Sequence, residues 1–155
     1  KAVCFMAWLS LPIALASNLS RLILPLTRER IPAGFPSPAD DYIDIGIDLN
    51  EQLIGNPAST FFLRVSGHSM INAGIQDGDL LIVDRSITPK SGCIVIAVLD
   101  GCFTLKKLIH NNGKIYLEAE NPDYPSIDIS KYECVQIWGV AIYSIHDLNQ
   151  SSKSL

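Results

Sequence analysis

The chain has 155 residues, 48% of them hydrophobic, and a formal net charge of −4. That length and apolar content suit one packed domain and leave no room for a second catalytic one. With a negative balance and no dense Lys/Arg stripe, direct, charge-driven binding to DNA is not expected.

The chain opens on Lys1 and an apolar run from Ala2 to Ala16, closing on the small-residue pattern Ala14-Leu15-Ala16. Taken alone this looks like a secretory signal. The run is short for a membrane-spanning helix, which needs about 20 apolar residues, and Pro12 interrupts it. Met6 offers a natural start in place of Lys1.

From Arg28 to Asp41 the run RERIPAGFPSPADD carries Pro32, Pro36 and Pro38. Closely spaced prolines forbid helix and favour an extended, exposed tether. Asp48 then stands as an N-cap with Glu51 three residues on, a capping-box pattern, and Gly55-Asn56-Pro57 ends the short helix of about two turns that it predicts.

The remainder predicts strands. Thr60 to Val65, Leu80 to Asp84, Cys93 to Leu99, Cys102 to Ile109, Lys114 to Glu120 and Cys134 to Ile145 are rich in branched and aromatic residues. Asp100-Gly101 between two of these runs signals a tight hairpin. The expectation is a mostly β fold: a compact antiparallel domain, curled or barrel-like, carrying an extended N-terminal arm. The four cysteines, Cys4, Cys93, Cys102 and Cys134, form no CxxC pair and have no histidine at metal-ligand spacing, so they read as thiols, with neither metal nor cofactor expected.

Chemistry is concentrated in Ser66-Gly67-His68-Ser69-Met70, which directly follows a strand. A serine hydroxyl needs a base, and a lysine serves only when neutral, which burial can bring about by lowering its pKa. Lys106 and Lys107 are candidates on a later strand. Alternation puts Lys106 on the face of Thr104, with Phe103, Leu105 and Lys107 on the other, so only one of the two lysines can enter a given pocket. His68 is adjacent to Ser69 and should point away from its hydroxyl. Asp77 and Asp79, in Gly74-Ile75-Gln76-Asp77-Gly78-Asp79, fit a turn entering a strand better than a triad. Backbone N–H groups of Ser69 and Met70 are the candidates for an oxyanion hole.

In order and spacing, SGHSM, then DGDLLIVD, then FTLKKL resemble the signature of the LexA/UmuD family of self-cleaving proteases, and Ala33-Gly34-Phe35-Pro36-Ser37-Pro38-Ala39 resembles the cleavage region of its UmuD-type members. The resemblance runs from about Pro32 to Tyr143. It implies Ser69 as nucleophile, Lys106 as general base and Ala33-Gly34 as the bond cut. It implies a LexA/signal-peptidase-like β fold, divided into an arm, 1–33, a peptidase domain, 34–146, and a disordered tail, 147–155.

It also implies a cytoplasmic homodimer, triggered by a RecA filament on single-stranded DNA, whose truncated form binds a Y-family, UmuC-like translesion polymerase in the SOS response. On that footing the apolar run is not expected to work as a secretion signal. A LexA-type repressor is disfavoured, because a winged helix-turn-helix and linker do not fit before Gly34. The competing expectation, resting on the apolar run, is a secreted or membrane-associated signal-peptidase-like enzyme acting on other proteins. A non-catalytic polymerase-binding domain is the third.

Overall fold

The structure is a computed structural model that describes residue 21 and residues 23–27, 33–34 and 44–149. The apolar run at the start, the rest of the proline-bearing tether and residues 150–155 of the expected tail lie outside the described residues. Among the described residues, no helix is long and apolar enough to cross a membrane.

Nine strands, one short α-helix and two single-turn 3-10 helices, Ile71–Ala73 and Ile129–Lys131, are described. A two-stranded ribbon pairs β1 (Ile23–Thr27) with β2 (Asp44–Asp48) antiparallel, Ile23 opposite Asp48 and Thr27 opposite Asp44. Helix α1 (Leu49–Leu53) follows at once. Then come β3 (Thr60–Arg64), β4 (Leu80–Asp84), β5 (Ile94–Leu99), β6 (Cys102–Asn111), β7 (Lys114–Glu118), β8 (Ile127–Asp128) and β9 (Val135–Ile145). These seven form one sheet in the order β3-β4-β9-β5-β6-β7-β8, every pair antiparallel.

The order is linear, so the sheet does not close into a barrel. Strand β9 is irregular. That strand carries two register shifts, one leaving Trp138 and one leaving Ile142 without an opposite residue, and each extra residue bends and twists a strand.

The turns follow from residue type. Asp100 and Gly101 join β5 to β6 with φ of 46° and 87°, and Asn112 and Gly113 join β6 to β7 with φ of 49° and 76°. Positive φ at both central residues is the requirement of a type I′ hairpin, which these residues meet at least cost.

Alternation along β5 sets the core. Val95, Ala97 and Leu99 turn to one side, with Leu108, Leu117 and Val140. Ile96 turns to the other, with Met70, Ile75, Leu81 and Val83. Burial on both faces explains why β4 and β5 read as nearly unbroken apolar runs.

Two local expectations change. The capping box at α1 is only half made: Asp48 accepts from the Asn50 N–H at 2.9 Å, but Glu51 turns outward to pair with Arg21 at 2.6 Å. Strand β1, inside residues 1–33, is not among the strands predicted, and it forms a ladder with β2. Pro25 concealed it, because proline demotes a strand reading, yet a two-stranded ribbon leaves one edge open where a missing N–H costs nothing. Cys93 and Cys102 stand as free thiols.

Candidate active site

The segment after β3 is fixed at several points before it reaches Ser69. Val65 continues the β3 pairing by donating to the Asp79 carbonyl at 2.9 Å and accepting from the Gly78 N–H at 3.0 Å. Gly67, at φ 98°, turns the chain, and its N–H donates to Asp77 Oδ1 at 2.7 Å. Past Ser69, Met70 is 2% exposed in the core, and its carbonyl accepts from Ala73 and Ile75. The serine is thus held between a clamped turn and a buried anchor, which is how a fold presents a nucleophile without letting it wander.

Lys106 comes from the middle of β6, an interior strand between β5 and β7. It lies opposite Val95 and therefore on the face of Val95 and Leu108, and it is 8% exposed. Its Nζ lies 3.1 Å from Ser69 Oγ, 3.1 Å from Thr104 Oγ1 and 3.0 Å from the Leu105 carbonyl. Burial lowers the pKa of this amine, because loss of hydration penalises the ammonium. A neutral amine has two N–H groups and one lone pair. In that neutral form Thr104 Oγ1 and the Leu105 carbonyl can take the two N–H groups, which would leave the lone pair for the Ser69 O–H.

The strand-face reading of the lysines agrees with these contacts. Lys107 pairs with Glu120 at 2.7 Å, and this hydrogen bond and charge raise its pKa, the opposite of what a base requires. His68 is exposed and meets the site through its backbone, its carbonyl accepting from Asn121 Nδ2 at 2.9 Å.

Asp77 and Asp79 are structural. Asp79 is 1% exposed and accepts from the Gln76 N–H at 2.9 Å and the Ser144 hydroxyl at 2.8 Å, with His146 Nδ1 at 2.6 Å. Burial alone would raise its pKa, but the bonds from Gln76, His146 and Ser144 together hold it below the usual carboxylate range. A carboxyl depressed in the folded state stabilises above its unfolded pKa, and that contribution is lost as pH falls through the folded value. Asp79→Ala is therefore expected to cost about 3 kcal/mol by urea unfolding at neutral pH, with the difference from wild type shrinking in acid. A loss below about 1 kcal/mol would contradict this role.

Among the described residues, no acceptor takes the N–H of Ser69 or Met70. Ala33 and Gly34 form an exposed bend, and a Cβ added at Gly34 would meet no atom within 4 Å, so this peptide stands open to solvent. The structure thus brings Ser69, Lys106 and Thr104 together and leaves Ala33-Gly34 outside that contact. Among the described residues, no group of His, Cys, Asp or Glu is placed to hold a metal ion.

A hydroxyl in contact with a buried amine from an interior strand of an open antiparallel sheet is an arrangement in which an amine could activate a serine. Residues 25–142 match the Peptidase S24-like family. Protein ImpA of Salmonella typhimurium is 45% identical over 125 residues, covering 80% of this chain and 84% of ImpA. Protein SamA of Salmonella typhimurium is 48% identical over 122 residues, 79% of this chain and 84% of SamA. Protein MucA of Escherichia coli is 42% identical over 132 residues, 84% of this chain and 90% of MucA. The chain belongs to the S24-like peptidase family, that of the self-cleaving serine peptidases LexA and UmuD, as a UmuD-like member.

Proposed function

We propose that this chain cuts its own Ala33-Gly34 bond with Ser69 as nucleophile and Lys106 as general base. The observation that carries the reading is the 3.1 Å contact between a buried Lys106 Nζ and Ser69 Oγ. In the reacting chain the bend at Ala33-Gly34 enters the cleft. Lys106 accepts the Ser69 proton as Oγ attacks the Ala33 carbonyl carbon, and the resulting oxyanion is held by the N–H groups of Ser69 and Met70. The Lys106 ammonium then gives that proton to the departing Gly34 amine, leaving Ala33 as an ester on Ser69. Water, deprotonated by the again neutral Lys106, hydrolyses the ester and restores the hydroxyl.

The product, residues 34–155, keeps the whole seven-stranded sheet, with 34–146 as the peptidase domain, and acts as a dimeric, cytoplasmic accessory subunit of a Y-family translesion polymerase in SOS mutagenesis. A RecA filament on single-stranded DNA is the trigger. The cut falls between β1 and β2, so removing residues 1–33 also removes the ribbon partner of β2. A five-residue ladder is marginal once it is no longer intramolecular. Ile45 and Leu49 stay on the product, exposed on or beside the β2 that the arm has left, and exposed apolar groups of this kind mark partner sites.

Purified protein incubated at mildly alkaline pH is expected to yield, by mass spectrometry, a fragment starting at Gly34, absent from Ser69→Ala. In a pull-down, the Gly34-starting product should recover a Y-family polymerase better than full-length Ser69→Ala. Equal recovery by the two would remove the switch, and recovery by neither would remove the partner.

A further inference from the structure

The segment after β7 touches the nucleophile loop on both sides of Ser69. Upstream, Asn121 Nδ2 donates to the His68 carbonyl at 2.9 Å. Downstream, the Asn72 N–H donates to the Glu120 carbonyl at 2.8 Å. Asn121 is 6% exposed, and its Oδ1 is occupied by the Asp123 N–H at 3.0 Å. With Oδ1 committed to a donor, the amide orientation is fixed and its NH2 must face His68.

The His68 carbonyl and the Ser69 N–H belong to the same peptide unit. That unit is planar and trans, so its C=O and N–H point in opposite directions, and holding one aims the other. Resting on the reading of Ser69 as nucleophile, we infer that Asn121 is a positioning residue for the oxyanion hole, locking the His68-Ser69 peptide so that the Ser69 N–H faces the reacting carbonyl. The Ser69 N–H has no acceptor among the described residues, as a donor kept for a developing oxyanion requires. The link is not through the base: Asn121 bonds to the backbone of the nucleophile loop, while Lys106 is held by Ser69, Thr104 and Leu105. A preorganised donor acts only if it cannot turn away as charge develops, and a peptide unit in a loop turns unless its other end is tied.

The test follows release of the Gly34 fragment across pH in the full chain, for wild type, Asn121→Ala and Asn121→Asp, with thermal unfolding of each alongside. Asn121→Asp keeps the acceptor for the Asp123 N–H but replaces the donor to His68 with a charged carboxylate oxygen that repels that carbonyl. Both variants are expected to melt cooperatively and to cleave about 100-fold slower at the plateau, with the pH midpoint of the uncharged Asn121→Ala unmoved. Cleavage by Asn121→Asp within about threefold of wild type would show that only the cap on Asp123 matters, and would overturn the inference. So would a slow Asn121→Ala whose midpoint has shifted, which places the damage at Lys106, or one that does not fold, which assigns Asn121 to folding. Should Asn121→Asp alone fail to fold, Asn121→Ala decides. Failure of the underlying reading looks different: wild type then releases no Gly34 fragment, or Ser69→Ala releases it.

Discussion

Alanine at Ser69 or at Lys106 is expected to slow self-cleavage by at least about 1,000-fold, the scale set by loss of the nucleophile or of a positioned general base. The contrast that gives this result meaning is with the neighbours. Lys107 spends its charge on Glu120, and His68 is exposed and meets the site through its carbonyl. Lys107→Ala and His68→Ala should therefore stay within about tenfold of wild type, or about 1.4 kcal/mol of barrier. A loss in His68→Ala equal to that in Lys106→Ala would move the base from the lysine to the histidine. Each variant is compared at equal folded fraction, since Lys106 sits in the core and its truncation leaves space there.

Self-cleavage should accelerate with pH, by about tenfold per unit, until Lys106 is mostly neutral, because only the free amine accepts the Ser69 proton. Its pKa is lowered by burial, so the plateau should arrive below the range of an ordinary lysine. The sign of the accompanying stability change is fixed as well. With the folded pKa below the unfolded one, the unfolded chain binds more protons in the window between them, so stability rises with pH there. Faster cleavage in that window thus cannot come from Lys106-linked loosening of the fold. Lys106→Arg should be inactive throughout, since a guanidinium does not deprotonate. A flat rate profile from mildly acidic to alkaline pH would remove the lysine as base.

Much of this was legible in the residues, and the rest was hidden for physical reasons. The six branched and aromatic runs became β3 to β7 and β9 with ends shifted by a residue or two, because burial on both faces demands such runs. Alternation along β6 placed Lys106 beside Thr104, a relation that a two-residue period carries directly. β8 was missed because a two-residue strand has no period to read. β2 was missed because Asp44, Gly46 and Asp48 leave only two apolar residues in five. The Asn112-Gly113 hairpin carries the same signal as Asp100-Gly101.

Asn121 lies 53 positions from His68, and Asp77 lies 10 from the Gly67 it holds. Contacts to a backbone carbonyl or N–H leave no pattern in the identity of the residue contacted, so only the fold reveals which polar side chains steady the loop that carries Ser69.

Self-cleavage by this route requires Lys106 to be a neutral amine at the pH where the chain cuts itself. The direct measurement is an NMR titration of the Lys106 Nζ resonance in the uncut Ser69→Ala chain, set beside the pH profile of the wild-type cleavage rate. Lys106 is expected to titrate below an ordinary lysine, at the midpoint of the rate profile. Titration in the ordinary lysine range, with cleavage already at its plateau well below it, would contradict the assignment of Lys106 as the base.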